Sequence, residues 1–132
     1  MKIKIIRGKK IKDKFILEGI NEYAKRLGKY CRVELKIGVN IHKEIKDTAY
    51  IFKIGQSGES ISSDQLAGKI EALGIGGTSD MIFVFEDEYA KVKADFALNI
   101  SNMDIDRNLM LIILYKQIYR AYRIINNEPY HK

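Results

Sequence analysis

Residues 80–85 read Asp-Met-Ile-Phe-Val-Phe: one acid, then five apolar side chains with no polar alternation. A strand with one solvated face alternates polar and apolar residues, whereas a strand packed on both faces reads as an unbroken apolar run. The stretch therefore predicts a central strand buried on both sides. Such strands belong mostly to parallel sheets, so crossover helices and neighbouring strands should lie on either side of it in sequence.

They do. Upstream, Ser62 and Gln65 have capping-box spacing ahead of a helix carrying Leu66, Ile70 and Leu73, and "AYIFKI" (49–54) before it reads as a strand broken by "GQSGES" (55–60). Further back, "KIKII" (2–6) is a strand, and Ile16, Ile20, Tyr23, Ala24 and Leu27 follow helical spacing until Gly28. "CRVELKI" (31–37) alternates as a half-exposed strand, and "GVNIHKEIKDT" (38–48) is a loop or short helix with a solvated His42. Downstream come a short helical stretch around "EYAKVKADF" (88–96) and a last short strand, "ALNIS" (97–101). Asp104 or Asp106 then caps a final helix of about twenty residues. The pattern predicts an α/β fold with a mainly parallel sheet flanked by helices, in a single domain over residues 1–132.

Ligands of such sheets gather at the carboxyl ends of the strands, here "GQSGES", "FEDEYA" (85–90) and "SNMDID" (101–106). The glycines of "GIGGTS" (74–79) precede a strand and belong at the opposite end, where they read as a helix-ending turn. Glu86, Asp87 and Glu88 could serve as bases or cation ligands, but at the start of a short helix the helix dipole accounts for them. The sequence holds no Walker loop, HExxH, GxSxG elbow or paired-histidine metal site.

Lys and Arg total 23 against 17 acids, a net charge of +6, which favours a polyanionic partner such as nucleic acid. The lone Cys31, a small buried thiol, rules out an internal disulfide and suits a reducing cytoplasm. The start "MKIKIIRGKK" has no apolar export segment, and no apolar run is long enough to span a bilayer.

In the final helix the run Leu109 to Leu114 is apolar all round and should be buried on every side. Beyond it Ile118, Ala121, Tyr122 and Ile125 line one face, of which Ile118, Tyr122 and Ile125 call for cover by a second copy of the chain. Lys116, Arg120 and Arg123 line another face beside Tyr119, a combination suited to RNA phosphates and splayed bases.

Three stretches carry a resemblance: "LYKQIYRAYRIINNEPYHK" (114–132), "KDKFILEGINEYAKRLGKY" (12–30) and "SISSDQLA" (60–67). Together they resemble the RlmH family, SPOUT-class methyltransferases that use S-adenosylmethionine to methylate a ring nitrogen of a pseudouridine in large-subunit ribosomal RNA. The resemblance implies a C-terminal trefoil knot and a homodimer in which one subunit's tail faces the other's cofactor. It places Ile54 and Gly58 in the first cofactor loop, Phe85 at the edge of the second, and Ser101, Asn102 and Met103 in the third. It makes Tyr130 and His131 the substrate-facing catalytic pair, with His131 in a titration range suited to a general base. Lys116, Arg120, Arg123 and Lys132 would hold the RNA of the ribosome.

The sequence also departs from that family. Glu86, Asp87 and Glu88 stand where the family has a glycine-rich loop, and Asp106 and Arg107 replace a Pro-His pair. Leu111 stands for an arginine and Lys116 for a glutamate, and the chain is short between its second and third strands. These departures carry an alternative: a catalytically degenerate paralogue acting as a dimeric ribosome-binding module.

Overall fold

The structure is a computed structural model and describes residues 1–129. Five strands, β1 (Lys2–Arg7), β2 (Arg32–Ile37), β3 (Tyr50–Ser60), β4 (Asp80–Phe85) and β5 (Phe96–Asn99), form one sheet in the order β2-β1-β4-β3-β5. Every pairing is parallel. The helices are α1 (Lys14–Leu27), the single turn α2 (Ile41–Glu44), α3 (Ser63–Ile75) and α4 (Arg107–Ile125). Strand β4 lies at the centre with all six residues buried, as its apolar run predicts.

The two faces of the sheet are covered unequally. Ile3, Ile5, Phe52, Ile54, Met81, Phe83, Phe85 and Leu98 pack with the buried residues of α1, α3 and α4. Across this face the Phe52 and Phe83 rings stack with centroids 4.6 Å apart. On the other face Ile6, Ile51, Ile82 and Val84 are covered by α2 and by the connections around it and after β4. Lys4 points to this thinner side, where its ammonium reaches the Glu44 backbone and carboxylate at 3.3 and 3.4 Å.

Asp13, which the sequence reading did not single out, caps α1. The other helix signals behave as read: Gly28 ends α1, Ser62 and Gln65 form a reciprocal capping box on α3, and Asp106 caps α4. "GIGGTS" ends α3 and leads into β4, at the amino ends of the strands.

Three local expectations are corrected. "GQSGES" does not break β3, which runs on to Ser60 with its register against β5 shifted between Ile54 and Glu59. Gly58 sits in that shift, where a Cβ would lie 2.7 Å from the backbone of Ala97 and Leu98, so only glycine lets the two strands approach. Residues 86–95 form turns, not a helix. The run Leu109 to Leu114 is not buried all round: Leu109 is 51% exposed, and Ile112 and Ile113 are half-buried.

Candidate functional site

Strands β4, β3 and β5 are neighbours, so the segments following them meet at one edge of the molecule. There the Glu86 amide donates to the Ile54 carbonyl at 2.8 Å, and the Glu86 side chain turns back over Gly55. A Cβ on Gly55 would collide with that carboxylate. Ser57 Oγ lies 2.9 and 2.8 Å from the two carboxylate oxygens, and its single proton is shared between them.

The segment after β5 is organised by Asn99, a buried polar residue that the sequence reading did not single out. Its amide donates to Ser60 Oγ at 3.2 Å and to the Asn102 side chain, and its carbonyl oxygen accepts from the Ser101 amide at 3.1 Å. Ser101 Oγ in turn accepts from the Met103 amide at 3.1 Å. The signal for Asn99 was an amide in an otherwise apolar strand end, since a polar side chain buried there must be satisfied. Of the expected cofactor residues, Ile54 and Phe85 send side chains into the core, Ser101 is half-buried, Asn102 is exposed and Met103 is 75% exposed.

The acidic triplet is not explained by a helix dipole, because no helix follows it. Each carboxylate has its own partner. Asp87 pairs with Arg107 at 2.7 Å, and Glu88 pairs with Arg7 at 2.7 Å while accepting from the Gly8 amide at 3.2 Å. Arg7 also donates to the Asn108 side chain at 3.3 Å, and its guanidinium lies 5.1 Å from the centre of the Phe85 ring. One residue thus ties β1, the turn after β4 and the start of α4 together. An open depression of about 560 Å³, lined by Arg7, Lys9, Lys10, Asp87 and Arg107, lies beside it.

At its middle α4 is joined to α3 by Ser63 Oγ, which donates to the Gln117 side chain at 2.7 Å. Beside that bond is a cavity of about 180 Å³, lined by Ile61, Leu66, Leu98, Asn99, Ile113 and Gln117 among others. Lys116, Arg120 and Arg123 are half-buried on the helix. Arg123 pairs with Glu128 at 2.8 Å and donates to the Pro129 carbonyl, so it holds the segment after α4 against the helix. Tyr30 donates to Glu128 at 2.7 Å and Lys29 pairs with it at 3.2 Å. Tyr130, His131 and Lys132 lie outside the described residues.

Ile118 and Tyr122 are buried within one copy of the chain, against the expectation that they need a partner's cover. Ile125 is half-buried, and what remains open near it is a depression of about 340 Å³ lined by Met1, Ile70, Ile75 and Tyr122 among others. Cys31 precedes β2 and is half-buried beside Tyr122; burial pushes its thiol up to about 11, away from reactivity at neutral pH.

The sequence matches the family described as "Predicted SPOUT methyltransferase" over residues 1–131. It is 36% identical to the ribosomal RNA large subunit methyltransferase H of Bifidobacterium adolescentis, with 100% of each chain covered. The enzymes of the same name from Acetivibrio thermocellus and Enterococcus faecalis are each 34% identical, again with 100% of both chains covered. The chain belongs to the RlmH family of SPOUT methyltransferases. Its 132 residues spread over 159 aligned positions with the first of these relatives, so this RlmH member is the leaner one.

SPOUT membership implies S-adenosylmethionine as methyl donor. The crevice where Ile54, Gly55, Gln56, Asn99, Ile100 and Ser101 converge measures only about 10 Å³. That is roughly the room one water needs. With Glu86 seated on Ser57, the crevice of this RlmH member does not fit a nucleoside with an amino-acid tail. Among the described residues no group of three metal-ligating side chains exists, and no helix is long and apolar enough to cross a membrane.

Proposed function

We propose that this protein acts in the cytoplasm on large-subunit ribosomal RNA, as an RlmH-type methyltransferase of a pseudouridine ring nitrogen. The observation that carries the reading is the full-length match to enzymes of that name. Lys116, Arg120, Arg123 and Lys132 are the proposed RNA contacts, where cations meet phosphate. Tyr130 is proposed to stack on the target base, and His131 to accept the proton that the ring nitrogen loses. The loop held by Asn99, with Ser101, Asn102 and Met103, together with Ile54, Gly58 and Phe85, is the proposed cofactor side.

The working unit is proposed to be a homodimer of single-domain chains. The support is an uncovered apolar rim, with Ile75 82% exposed and Met1 and Ile125 beside it. Light scattering at high micromolar concentration should give twice the chain mass, and a clean monomer would remove the shared-site arrangement.

A second reading, a dimeric ribosome-binding module without methyl transfer, is favoured by one observation: the Glu86 carboxylate over Gly55. Incubating the protein with ribosomes lacking the modification and isotopically labelled S-adenosylmethionine separates the two. Label in large-subunit RNA supports the enzyme. Ribosome binding without label supports the module.

A further inference from the structure

We infer that Glu86 is an internal plug of the cofactor crevice, a carboxylate of the chain's own that occupies the space over Gly55 and must leave before any carboxylate-bearing nucleoside can enter. The inference rests on the family's use of S-adenosylmethionine and deepens the reading above.

Four observations carry it. First, the space over Gly55 is open only because that residue has no Cβ, and the three atoms nearest to where that Cβ would stand all belong to the Glu86 side chain. Second, the plug is held by a polar contact, both Glu86 oxygens lying on Ser57 Oγ, not by apolar packing. Third, Glu86 differs from its two neighbours. Asp87 is tied to Arg107 and Glu88 to Arg7, whereas no cation pairs with Glu86 among the described residues. Its charge is answered only by one exposed hydroxyl, and such a bond in reach of water is weak. Fourth, the backbone on either side is fixed, by the Glu86 amide on the Ile54 carbonyl and by the two ion pairs that follow. The side chain can therefore swing out by rotamer change alone while the turn stays in place. An incoming carboxylate would meet both the bulk and the like charge of Glu86, so occupancy by the plug and by ligand exclude one another.

Calorimetric titration of the full-length protein with S-adenosylhomocysteine tests this. Glu86→Ala should bind at least tenfold more tightly than wild type, with Glu86→Gln, which keeps the bulk and loses the charge, between the two. Ser57→Ala, which removes the hydroxyl anchor, should also tighten binding and serves as the readout if Glu86→Ala fails to fold. Equal affinity in wild type and variants, or no binding by any folded variant, overturns the plug. Co-sedimentation of the wild type with ribosomes reports separately on the proposed function. Protein that sediments without any gain from the Glu86 variants loses the plug alone, and protein that does not sediment loses the RNA reading whatever Glu86 does.

Discussion

The two ends of α4 carry clusters of charge built on opposite plans. At the amino end Arg7 and Glu88 meet deep in the protein, and Arg107, placed where the helix dipole disfavours a cation, is neutralised by Asp87 and the Asp106 cap. At the carboxyl end Arg123 complements the dipole and shares Glu128 with Lys29 and Tyr30 near the surface. The first cluster draws on Asp87 and Glu88, read from the sequence as a departure from the family pattern; the second lies within the stretches on which the resemblance rests. At the amino end Asp87 and Glu88 are each matched by an arginine, beside an open depression. At the tail end Lys29 is open to solvent, while Arg123 is largely covered.

Burial should make the first cluster far costlier to break. Removing either Arg7 or Glu88 leaves the other charge buried without its counter-ion, which costs about 3–5 kcal/mol. Urea denaturation of Arg7→Ala and Glu88→Ala should show that loss, and Arg123→Ala a much smaller one. Equal losses at the two ends would erase the contrast.

The next effect in size belongs to the tail. If the protein transfers methyl groups, His131→Ala should lower turnover by roughly a hundredfold or more, the usual weight of a general base, while leaving cofactor affinity intact. Deleting residues 130–132 should leave the thermal midpoint almost unchanged, since the Arg123 and Glu128 contacts that hold the preceding segment remain. A mutant with full activity on ribosomes would move His131 from chemistry to dimer contact.

The sheet was open to reading because its signals are local. An unbroken apolar run at 81–85 can only be a strand buried on both faces in a chain that alternates strands and helices, and caps at Ser62 and Asp106 are decided within four residues. What failed depended on distance. Glycines at 55 and 58 mark a break in a single strand, yet Gly58 serves β5, which lies about forty residues further along the sequence and needs its missing Cβ. The stretch 88–96 reads as helical, but Glu88 at its start and Asp87 before it are held by Arg7 and Arg107, far apart in the sequence. No periodicity reports a pair 81 residues apart in sequence. The knot implied by the family lies equally beyond such arguments, and the cofactor side was legible only as a resemblance.

The stripe on α4 gives a smaller and more graded test. Every cation taken off a phosphate should lower the salt slope of RNA binding by about 0.7–0.9. Lys116 has no ion-pair partner among the described residues, so Lys116→Gln should lower the slope by close to that full amount. Arg123 is shared with Glu128 and Pro129, so Arg123→Gln should lower it by less. A larger effect at Arg123 would mean that the tail cluster opens when RNA binds.

The smallest effect should be the acid response of the tail cluster. The hydroxyl of Tyr30, and then the ammonium of Lys29 and the Arg123 guanidinium, hold the Glu128 carboxyl below its ordinary value of 4.5, with partial burial opposing them. A carboxyl whose folded value is depressed contributes stability above its unfolded value and loses it as pH falls through the folded one. Lys29 and Arg123, both raised by the same contacts, stay charged throughout that range. The contribution should therefore be whole at pH 7 and vanish in strong acid. Comparing unfolding midpoints of wild type and Glu128→Gln reads this directly: a small gap at pH 7 should narrow as pH falls below the ordinary carboxylate range and close once the carboxylate is protonated in the folded state too. A gap that persists in acid would mean that Glu128 holds the tail by shape instead of charge, and the surface cluster would then resemble the buried one at the other end of the helix more than its exposure suggests.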